Sequence, residues 1–335
     1  MTVADISMAE AVVDVPWSEK YRPKTLEEVA AHTDIIDTIK KLLADDQLPH
    51  MLFYGPPGTG KTSTVLALAK QMYGRSVEAM TLELNASDDR GINIVRNEIQ
   101  EFASTRTMMS NKFKLIILDE CDAMTKDAQM ALRRVMEKYV KNARFCLICN
   151  YVSKIIPALQ SRCTRFRFQP LPLDFVKTRL EYICKEENIQ GDDQGIQAVM
   201  TLGCGDMRRT LNLLQSTCMA SGHVTETSTY QCAGKPLPSD VKDVAHSLFN
   251  DSLQVSFQKI SSLQKEKGIA LVDILYEMHP YIFKISMPPK ARIDLVSKLA
   301  DAEYRLAFGT SDQLQLGAIC GAFCQARQSI VNAAV

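Results

Sequence analysis

Residues Met51-Leu-Phe-Tyr-Gly-Pro-Pro-Gly-Thr-Gly-Lys-Thr62 decide the fold of this 335-residue chain. The first four are apolar and predict a buried strand, and the remainder matches the pattern G-x-x-x-x-G-K-S/T. A segment of helical pattern follows, from Thr62 to Tyr73. A glycine-rich loop in this position turns its backbone N–H groups inward, and the start of the helix adds the positive end of its dipole. The stretch therefore predicts a loop that holds phosphate groups.

Two side chains of this loop have predicted chemical roles. We expect Lys61 to reach the β- and γ-phosphates of ATP and the Thr62 hydroxyl to ligate Mg²⁺. The alternative is a glycine-rich turn with an unrelated lysine, which the neighbouring strand and helix argue against. The residues expected to contact ATP here are Gly55, Pro56, Pro57, Gly58, Thr59, Gly60, Lys61, Thr62 and Ser63.

Polar residues end two further apolar runs. Asp119 and Glu120 follow Leu115-Ile-Ile-Leu118, and Asn150 follows a run that contains Phe145-Cys-Leu-Ile148. Ligands collect at the carboxyl ends of parallel strands. Asp119 is therefore expected to hold the Mg²⁺ shell, and Glu120 to orient the attacking water. Asn150 is expected to position that water or to sense the γ-phosphate, and its alternative reading is a turn residue.

Composition limits the function classes. Lysine plus arginine and aspartate plus glutamate both number 39, so net charge does not argue for a nucleic-acid partner. There is no signal-peptide pattern and no run of about eighteen apolar residues, so we expect no membrane partner. The ten cysteines indicate reduced, intracellular thiols. Cys146 and Cys149 lie three apart on a predicted strand and should face opposite ways, which favours core packing over a zinc site.

The pattern along the chain changes twice. Short apolar runs, among them a predicted strand Met80-Thr-Leu-Glu-Leu84, alternate with amphipathic segments up to about Gln169, which is typical of a parallel sheet covered by helices. Later segments have helical periodicity, as in the predicted stripe of Leu271, Ile274, Leu275 and Met278. Proline-rich stretches at 169–172 and 234–238 mark the changes. The sequence thus predicts a flexible arm (1–15), an α/β domain (16–170), a small helical domain (171–234) and a C-terminal helical domain (235–335).

Several further motifs accompany the loop in a fixed order. They are Glu19-Lys-Tyr-Arg-Pro23, Leu84-Asn-Ala-Ser-Asp-Asp-Arg-Gly91, Ile117-Leu-Asp-Glu120, Ser161-Arg-Cys163 and Gly205-Asp-Met-Arg-Arg209. With these motifs the chain resembles the AAA+ clamp-loader family, and within it the small subunits of eukaryotic replication factor C. The resemblance covers about residues 16 to 215, and it implies an AAA+ P-loop ATPase domain with a parallel sheet, a helical lid and an all-α collar that mediates oligomerisation.

The resemblance also implies roles for three arginines. Arg22 would contact the base side of the nucleotide, and Arg208 would reach the γ-phosphate from the lid. Arg162 would be an arginine finger that enters the ATP site of a neighbouring subunit. The alternative for Arg162 is a solvated arginine like Arg165 and Arg167, which alternate with phenylalanines as on an exposed strand face.

DNA contact is a further implication of the resemblance. In this family residues near the start of the helix after the Asn-Ala-Ser-Asp-Asp stretch grip the DNA backbone. Arg96 is the first candidate, with Arg90 and Arg106 as weaker ones. Arg96 lies at the edge of a predicted apolar stripe, so an arginine that extends from the core to solvent is the alternative.

As a member of such a family, the chain would act as an ATPase within a hetero-pentamer with four other clamp-loader subunits in the nucleus. The complex would place the sliding clamp, proliferating cell nuclear antigen, on primer-template DNA. Two alternatives stay open: a nucleotide-bound scaffold with little turnover, and a small-molecule P-loop kinase. One departure concerns Cys121, where the family commonly has alanine; its place beside the acidic pair suggests that alkylation would affect the ATPase.

Overall fold

A computed structural model of the chain describes residues 15–45, 47–87, 95–105 and 113–334. Clustering of contacts divides the chain into two compact units. The first comprises Met1–Ile189 and Val199–Gln215, and the second comprises Gln190–Ala198 and Ser216–Val335.

The first unit is built on a sheet of five parallel strands. They are β1 (Met51–Tyr54), β2 (Thr81–Asn85), β3 (Lys114–Asp119), β4 (Ala143–Cys149) and β5 (Thr164–Arg167). Their order is β2-β3-β4-β1-β5, and every adjacent pair is parallel. The strand before the glycine-rich loop, β1, therefore lies between β4 and β5. The segments that follow these parallel strands meet at the carboxyl ends of the strands.

Helices lie along the rest of this unit. They are α1 (Trp17–Lys20), α2 (Thr33–Ala44), α3 (Lys61–Tyr73), α4 (Val77–Met80), α5 (Gln100–Ser104), α6 (Lys126–Lys138), α7 (Pro157–Gln160) and α8 (Leu173–Glu186). Two more helices cross the boundary between the units, α9 (Asp193–Gly203) and α10 (Met207–Ser221). A single π-helical turn, Val95–Ile99, precedes α5.

The sheet separates two apolar cores. Successive strand residues point to opposite faces, so Phe53 and Ile117 pack with α2 and α3, whereas Leu52 and Ile116 pack with α6. Every residue of β1 to Phe53, and of β3 from Leu115 to Ile117, is fully buried. Burial on both faces explains why these strands are continuous apolar runs rather than alternating ones.

The second unit is mainly helical. Its helices are α11 (Glu226–Ala233), α12 (Pro238–Asn250), α13 (Leu253–Lys267), α14 (Leu271–Lys284), α15 (Pro289–Ala307) and α16 (Asp312–Ala334). A short parallel pair, β6 (Gln190–Gly191) and β7 (His223–Val224), also belongs to it. The predicted stripe of Leu271, Ile274, Leu275 and Met278 is buried in its core.

The cysteine pair packs as predicted. Cys146 lies in the core on the α3 side of the sheet and Cys149 in the core on the α6 side, so the two thiols face opposite ways. Burial raises the pKa of both thiols, that of Cys149 to about 12. Within the described ranges, no group of three or more His, Cys, Asp or Glu side chains is arranged to hold a metal ion.

The start of β2 differs from the sequence prediction. Met80 was expected to begin a strand, but it ends the one-turn helix α4, and β2 starts one residue later. Helix α8 belongs to the same unit as the sheet, and α11 belongs to the same unit as the C-terminal helices. The division into domains at about residues 170 and 234 stays a prediction. No helix in the described part of the chain combines the length and apolarity needed to cross a bilayer.

Candidate nucleotide site

The glycine-rich loop has a backbone that favours glycine at three points. Gly55, Gly58 and Gly60 have φ angles of 146°, 65° and 91°. A Cβ at Gly55 would overlap the carbonyl oxygen of Phe168, and one at Gly58 would overlap a carboxylate oxygen of Asp206. The loop is thus pressed closely on both sides, and only a residue without a side chain fits there.

Lys61 lies inside the loop. It is only 7% exposed, and its Nζ donates to the carbonyl oxygens of Gly55 at 2.8 Å and Pro56 at 2.7 Å. It also donates to Oδ1 of Asn150 at 3.1 Å. Burial lowers the pKa of Lys61, and the nearby charge of Asp119 opposes this effect. The ammonium group therefore joins the loop after β1 to the residue that follows β4.

The acidic pair adjoins the start of α3. The Thr62 hydroxyl donates to Oδ2 of Asp119 at 2.7 Å, and the backbone N–H of Glu120 donates to the other oxygen of Asp119 at 2.8 Å. Glu120 has φ 52°, a left-handed conformation that is uncommon outside glycine. Its exposed side chain lines the cleft described below. The Asp119 carboxylate is thus held beside the Thr62 hydroxyl, and the Glu120 carboxylate lines the cleft.

These residues surround one cleft of about 370 Å³. Of the residues expected to bind nucleotide, those that line it are Arg22, Pro57, Gly58, Thr59, Gly60, Lys61, Thr62, Ser63, Asp119, Glu120, Asn150 and Arg208. Gly55 and Pro56 do not line it; their carbonyl groups hold Lys61 instead. Every lining residue belongs to the first unit.

Several lining residues were not expected from the sequence. They include Tyr21, Phe175, Arg179, Met207 and Leu211, on the N-terminal segment and on α8 and α10. The motif Glu19-Lys-Tyr-Arg-Pro23 contains Tyr21, but the predicted nucleotide contact in this motif is Arg22 alone. The residues of α8 carry no local motif that distinguishes them from other helix positions.

Arg162 lies away from the cleft, just after α7. It forms an ion pair with Glu137 of α6, and its Nη1 donates to the carbonyl oxygen of Ala158 at 2.7 Å. Glu137 also pairs with Arg133 at 3.1 Å, and the two arginines lower the pKa of Glu137. The Arg162 side chain is 34% exposed. Arg165 and Arg167 lie exposed on β5, while Phe166 between them is buried.

The expected DNA-binding residues fall largely outside the described part of the chain. Arg90 and Arg106 lie outside the described residues. Arg96 belongs to the π-helical turn Val95–Ile99, but its side chain is not among those described. Their contact with DNA stays a prediction.

The alkylation hypothesis for Cys121 does not agree with its environment. Cys121 is only 1% exposed and packs in the core beside α6, where its Sγ donates to the carbonyl oxygen of Leu118 at 3.1 Å. Burial raises the pKa of this thiol well above its ordinary value. Because the thiolate is the reactive form, Cys121 is an inert core residue in the native chain.

Comparison with known proteins supplies the family. Residues 51–171 match the ATPase family associated with various cellular activities (AAA), and residues 236–322 match the replication factor C C-terminal domain. The RuvB Holliday junction branch migration motor of Thermotoga maritima shares the fold, with a TM-score of 0.52 at 14% identity over 80% of this chain and 93% of that one.

Curated relatives match nearly the whole chain. Replication factor C subunit 3 of Oryza sativa is 54% identical over 95% of this chain and 89% of its own length. Replication factor C subunit 5 of Homo sapiens is 53% identical over 96% and 95%, and subunit 3 of Saccharomyces cerevisiae is 47% identical over 92% and 93%. These similarities confirm the resemblance found in the motifs. The chain therefore belongs to the family of replication factor C subunits, which carry an AAA ATPase domain.

Proposed function

We propose that this chain binds Mg·ATP in the cleft at the end of its parallel sheet and hydrolyses it as one subunit of a hetero-pentameric clamp loader. Membership of the family makes the chain an ATP-dependent clamp-loader subunit with an AAA ATPase domain. The kinase and scaffold alternatives are not favoured by these similarities. The pentameric assembly, the binding of Mg²⁺ and the roles of individual residues are what we propose beyond family membership.

The observation that carries the proposal is the convergence of four groups at one edge of the sheet. Lys61 and Thr62 follow β1, Asp119 ends β3 and Asn150 follows β4. Hydrogen bonds of 2.7 to 3.1 Å connect these four residues in two pairs. The Lys61 ammonium is a donor for phosphate oxygens, and the amides at the start of α3 add further donors. The same cleft continues to apolar residues that suit a base.

The Thr62 and Asp119 pair fits Mg²⁺. A hydroxyl oxygen and a carboxylate oxygen 2.7 Å apart are hard donors, which this ion prefers. Mg²⁺ commonly keeps several waters and binds one or two protein groups plus substrate phosphates. Bound there, the ion would neutralise charge on the β- and γ-phosphates. The described residues supply a site of this open kind rather than a closed cage of ligands.

For hydrolysis we assign to Glu120 the role of orienting and polarising the attacking water. Its backbone N–H is held by Asp119, and its carboxylate lines the cleft, where it can accept a proton from the water. Asn150 accepts a hydrogen bond from Lys61, and it would link the presence of a γ-phosphate to the end of β4. Arg208, in the first turn of α10, adds a positive charge from the opposite wall.

Arg162 is assigned to a neighbouring subunit's site. Support comes from its position outside this chain's own cleft and from its exposed guanidinium, which Glu137 and the Ala158 carbonyl hold in place. An added positive charge at the γ-phosphate stabilises the transition state, and such fingers contribute about 10³ to 10⁵ in rate. Efficient turnover at that neighbouring site therefore depends on the ring.

The remaining partners follow from the family. We propose that the complex acts in the nucleus on the proliferating cell nuclear antigen clamp and on primer-template DNA, with Arg96, Arg90 and Arg106 as phosphate contacts. Membership of the replication factor C family supports this assignment.

The variant Lys61→Ala tests the site itself. It should weaken binding of MgATP to the isolated chain about a hundredfold, because a buried charged donor to the phosphates is lost. Binding is measured by fluorescence titration with an ATP analogue. Lys70→Ala is the matched control, since Lys70 is an exposed lysine in the last turn of the same helix. Equal affinity of Lys61→Ala and the parent chain would overturn the proposed site.

A further inference from the structure

The N-terminal segment 17–23 forms part of the cleft but has little structure of its own. Its helix α1 has four residues, and Trp17 is the one residue of that helix that is buried. A helix this short is not stable by itself. Ser18, Tyr21, Arg22 and Pro23 nevertheless line the cleft. Their positions therefore depend on the contacts that hold the segment to the rest of the first unit.

Glu187, directly after α8, provides the main polar contact. One oxygen of its carboxylate, Oε1, accepts hydrogen bonds from Lys20 Nζ at 2.6 Å and from the Tyr21 hydroxyl. Glu187 is itself fixed, because its backbone N–H donates to the carbonyl oxygen of Ile183 at 2.9 Å. The hydrogen bonds from Lys20 and Tyr21 lower the pKa of Glu187, which keeps it an ionised acceptor.

Other residues of α8 contact Tyr21 as well. Arg179 lines the cleft and its Nη2 donates to the Tyr21 carbonyl oxygen at 3.0 Å. The ring of Tyr182 meets the ring of Tyr21 edge to face, with 6.4 Å between centroids. On the other side of the segment, Gln215 of α10 accepts a hydrogen bond from the Trp17 backbone N–H at 3.0 Å. The segment is thus attached to both helices that form the far wall of the cleft.

The chemistry of the cleft divides along its length. Phosphates bound at Lys61 and Thr62 leave the base of the same molecule to the remaining lining. Pro23, Phe175 and Leu211 supply apolar surface there, and two of them lie on α8 and α10. The segment and the two helices must therefore hold a fixed separation for a base to fit.

We propose that Glu187 is a positioning residue that fixes this wall, so that the nucleotide base is recognised by the N-terminal segment and α8 acting together. This inference rests on the proposed binding of ATP in the cleft. Glu187 itself does not line the cleft, so it acts through Tyr21 and the segment that Tyr21 belongs to.

The test compares two probes on the full chain, MgATP and inorganic tripolyphosphate with Mg²⁺. The second probe carries the phosphates without the base. Glu187→Gln and Tyr21→Phe change little volume and remove the charged or hydroxyl partner. Each should raise the Kd for MgATP about tenfold and leave the Kd for tripolyphosphate unchanged, as measured by calorimetry. A general loss of structure would weaken both probes.

Two control variants match these changes. Glu186→Gln removes the adjacent exposed carboxylate, and Tyr182→Phe removes the hydroxyl of the neighbouring ring; both should keep the parent affinities. Unchanged MgATP affinity in Glu187→Gln and Tyr21→Phe, or an equal loss for tripolyphosphate, would overturn the inference. Failure of the parent chain to bind either probe would instead contradict the proposed ATP site, and the inference with it.

Discussion

Gly58 connects the phosphate-binding loop to the start of α10. Its carbonyl oxygen accepts from the Met207 backbone N–H at 3.1 Å, and its Cα faces Asp206, whose Oδ1 caps the Arg209 N–H at 3.0 Å. The space beside the Gly58 Cα is occupied by the Asp206 carboxylate, so a methyl group does not fit there unless that side chain moves. The close contact between Gly58 and Asp206 thus fixes the position of the loop relative to Arg208, and this contact requires glycine.

We predict that Gly58→Ala weakens MgATP binding at least about tenfold, because the added Cβ displaces Asp206 and the residue resists φ of 65°. Titration with an ATP analogue measures the effect. Gly74→Ala is the control: Gly74 also has a positive φ, of 54°, but nothing lies within 4 Å of its added Cβ. It should lose about 1 to 2 kcal/mol of stability and keep its affinity. Parent-like binding by Gly58→Ala would contradict this account.

The cysteines differ in exposure and therefore in expected reactivity. Cys121 and Cys146 are buried with raised pKa values, whereas Cys204 and Cys232 are exposed. Brief treatment of the native chain with iodoacetamide should modify the exposed pair and spare the buried pair, as measured by peptide mass spectrometry. In urea all four should react. Labelling of native Cys121 as fast as Cys204 would show that its surroundings open readily.

His50, directly before β1, forms a side-chain contact with the neighbouring strand β4. Its Nδ1 accepts from the Phe145 backbone N–H at 3.1 Å, and its ring meets that of Phe145 edge to face. Burial, and secondarily the charge of Arg144, lower the pKa of His50 to about 4. The fold therefore favours the neutral imidazole. The stabilisation is fully present above the unfolded pKa of about 6.5, and it is lost as the pH falls toward 4.

We predict that protonation of His50 lowers the free energy of unfolding by up to about 3 kcal/mol as the pH falls from 6.5 to 4. His50→Asn retains an acceptor for the Phe145 N–H but does not titrate in this range. Urea unfolding at a series of pH values should therefore show a flatter acid dependence for this variant. Identical slopes for the variant and the parent would refute the assignment.

Local pattern predicted much of the sheet and one wall of the cleft. The strand Met51–Tyr54 has the predicted bounds because burial on both faces leaves an unbroken apolar run. The start of β2 was predicted too early, since the apolar Met80 belongs to a one-turn helix. The other wall was missed because it depends on contacts between distant residues. Tyr21 and Glu187, for example, are 166 residues apart, and neither carries a local signal of the pairing.

Under the proposed function, the whole chain combines an ATP site of its own with a cation, Arg162, that acts at a neighbouring subunit's site. Lys61 lines its own cleft, whereas Arg162 does not and is presented beside α6 by Glu137. An ATPase arranged in this way would bind nucleotide alone but would turn it over efficiently only in a ring. Under this proposal assembly would regulate hydrolysis, because each interface site would need both chains in place.

The most direct measurement is the ATPase rate of the reconstituted complex carrying Arg162→Ala, with Arg165→Ala as the control from the exposed face of β5. We predict that Arg162→Ala reduces turnover at the one site it completes by about 10³-fold or more, while this chain's own affinity for MgATP is unchanged. Arg165→Ala should leave both quantities at the parent values. An unchanged rate at that site, or loss of this chain's own ATP binding in Arg162→Ala, would contradict completion of the site by a neighbouring subunit.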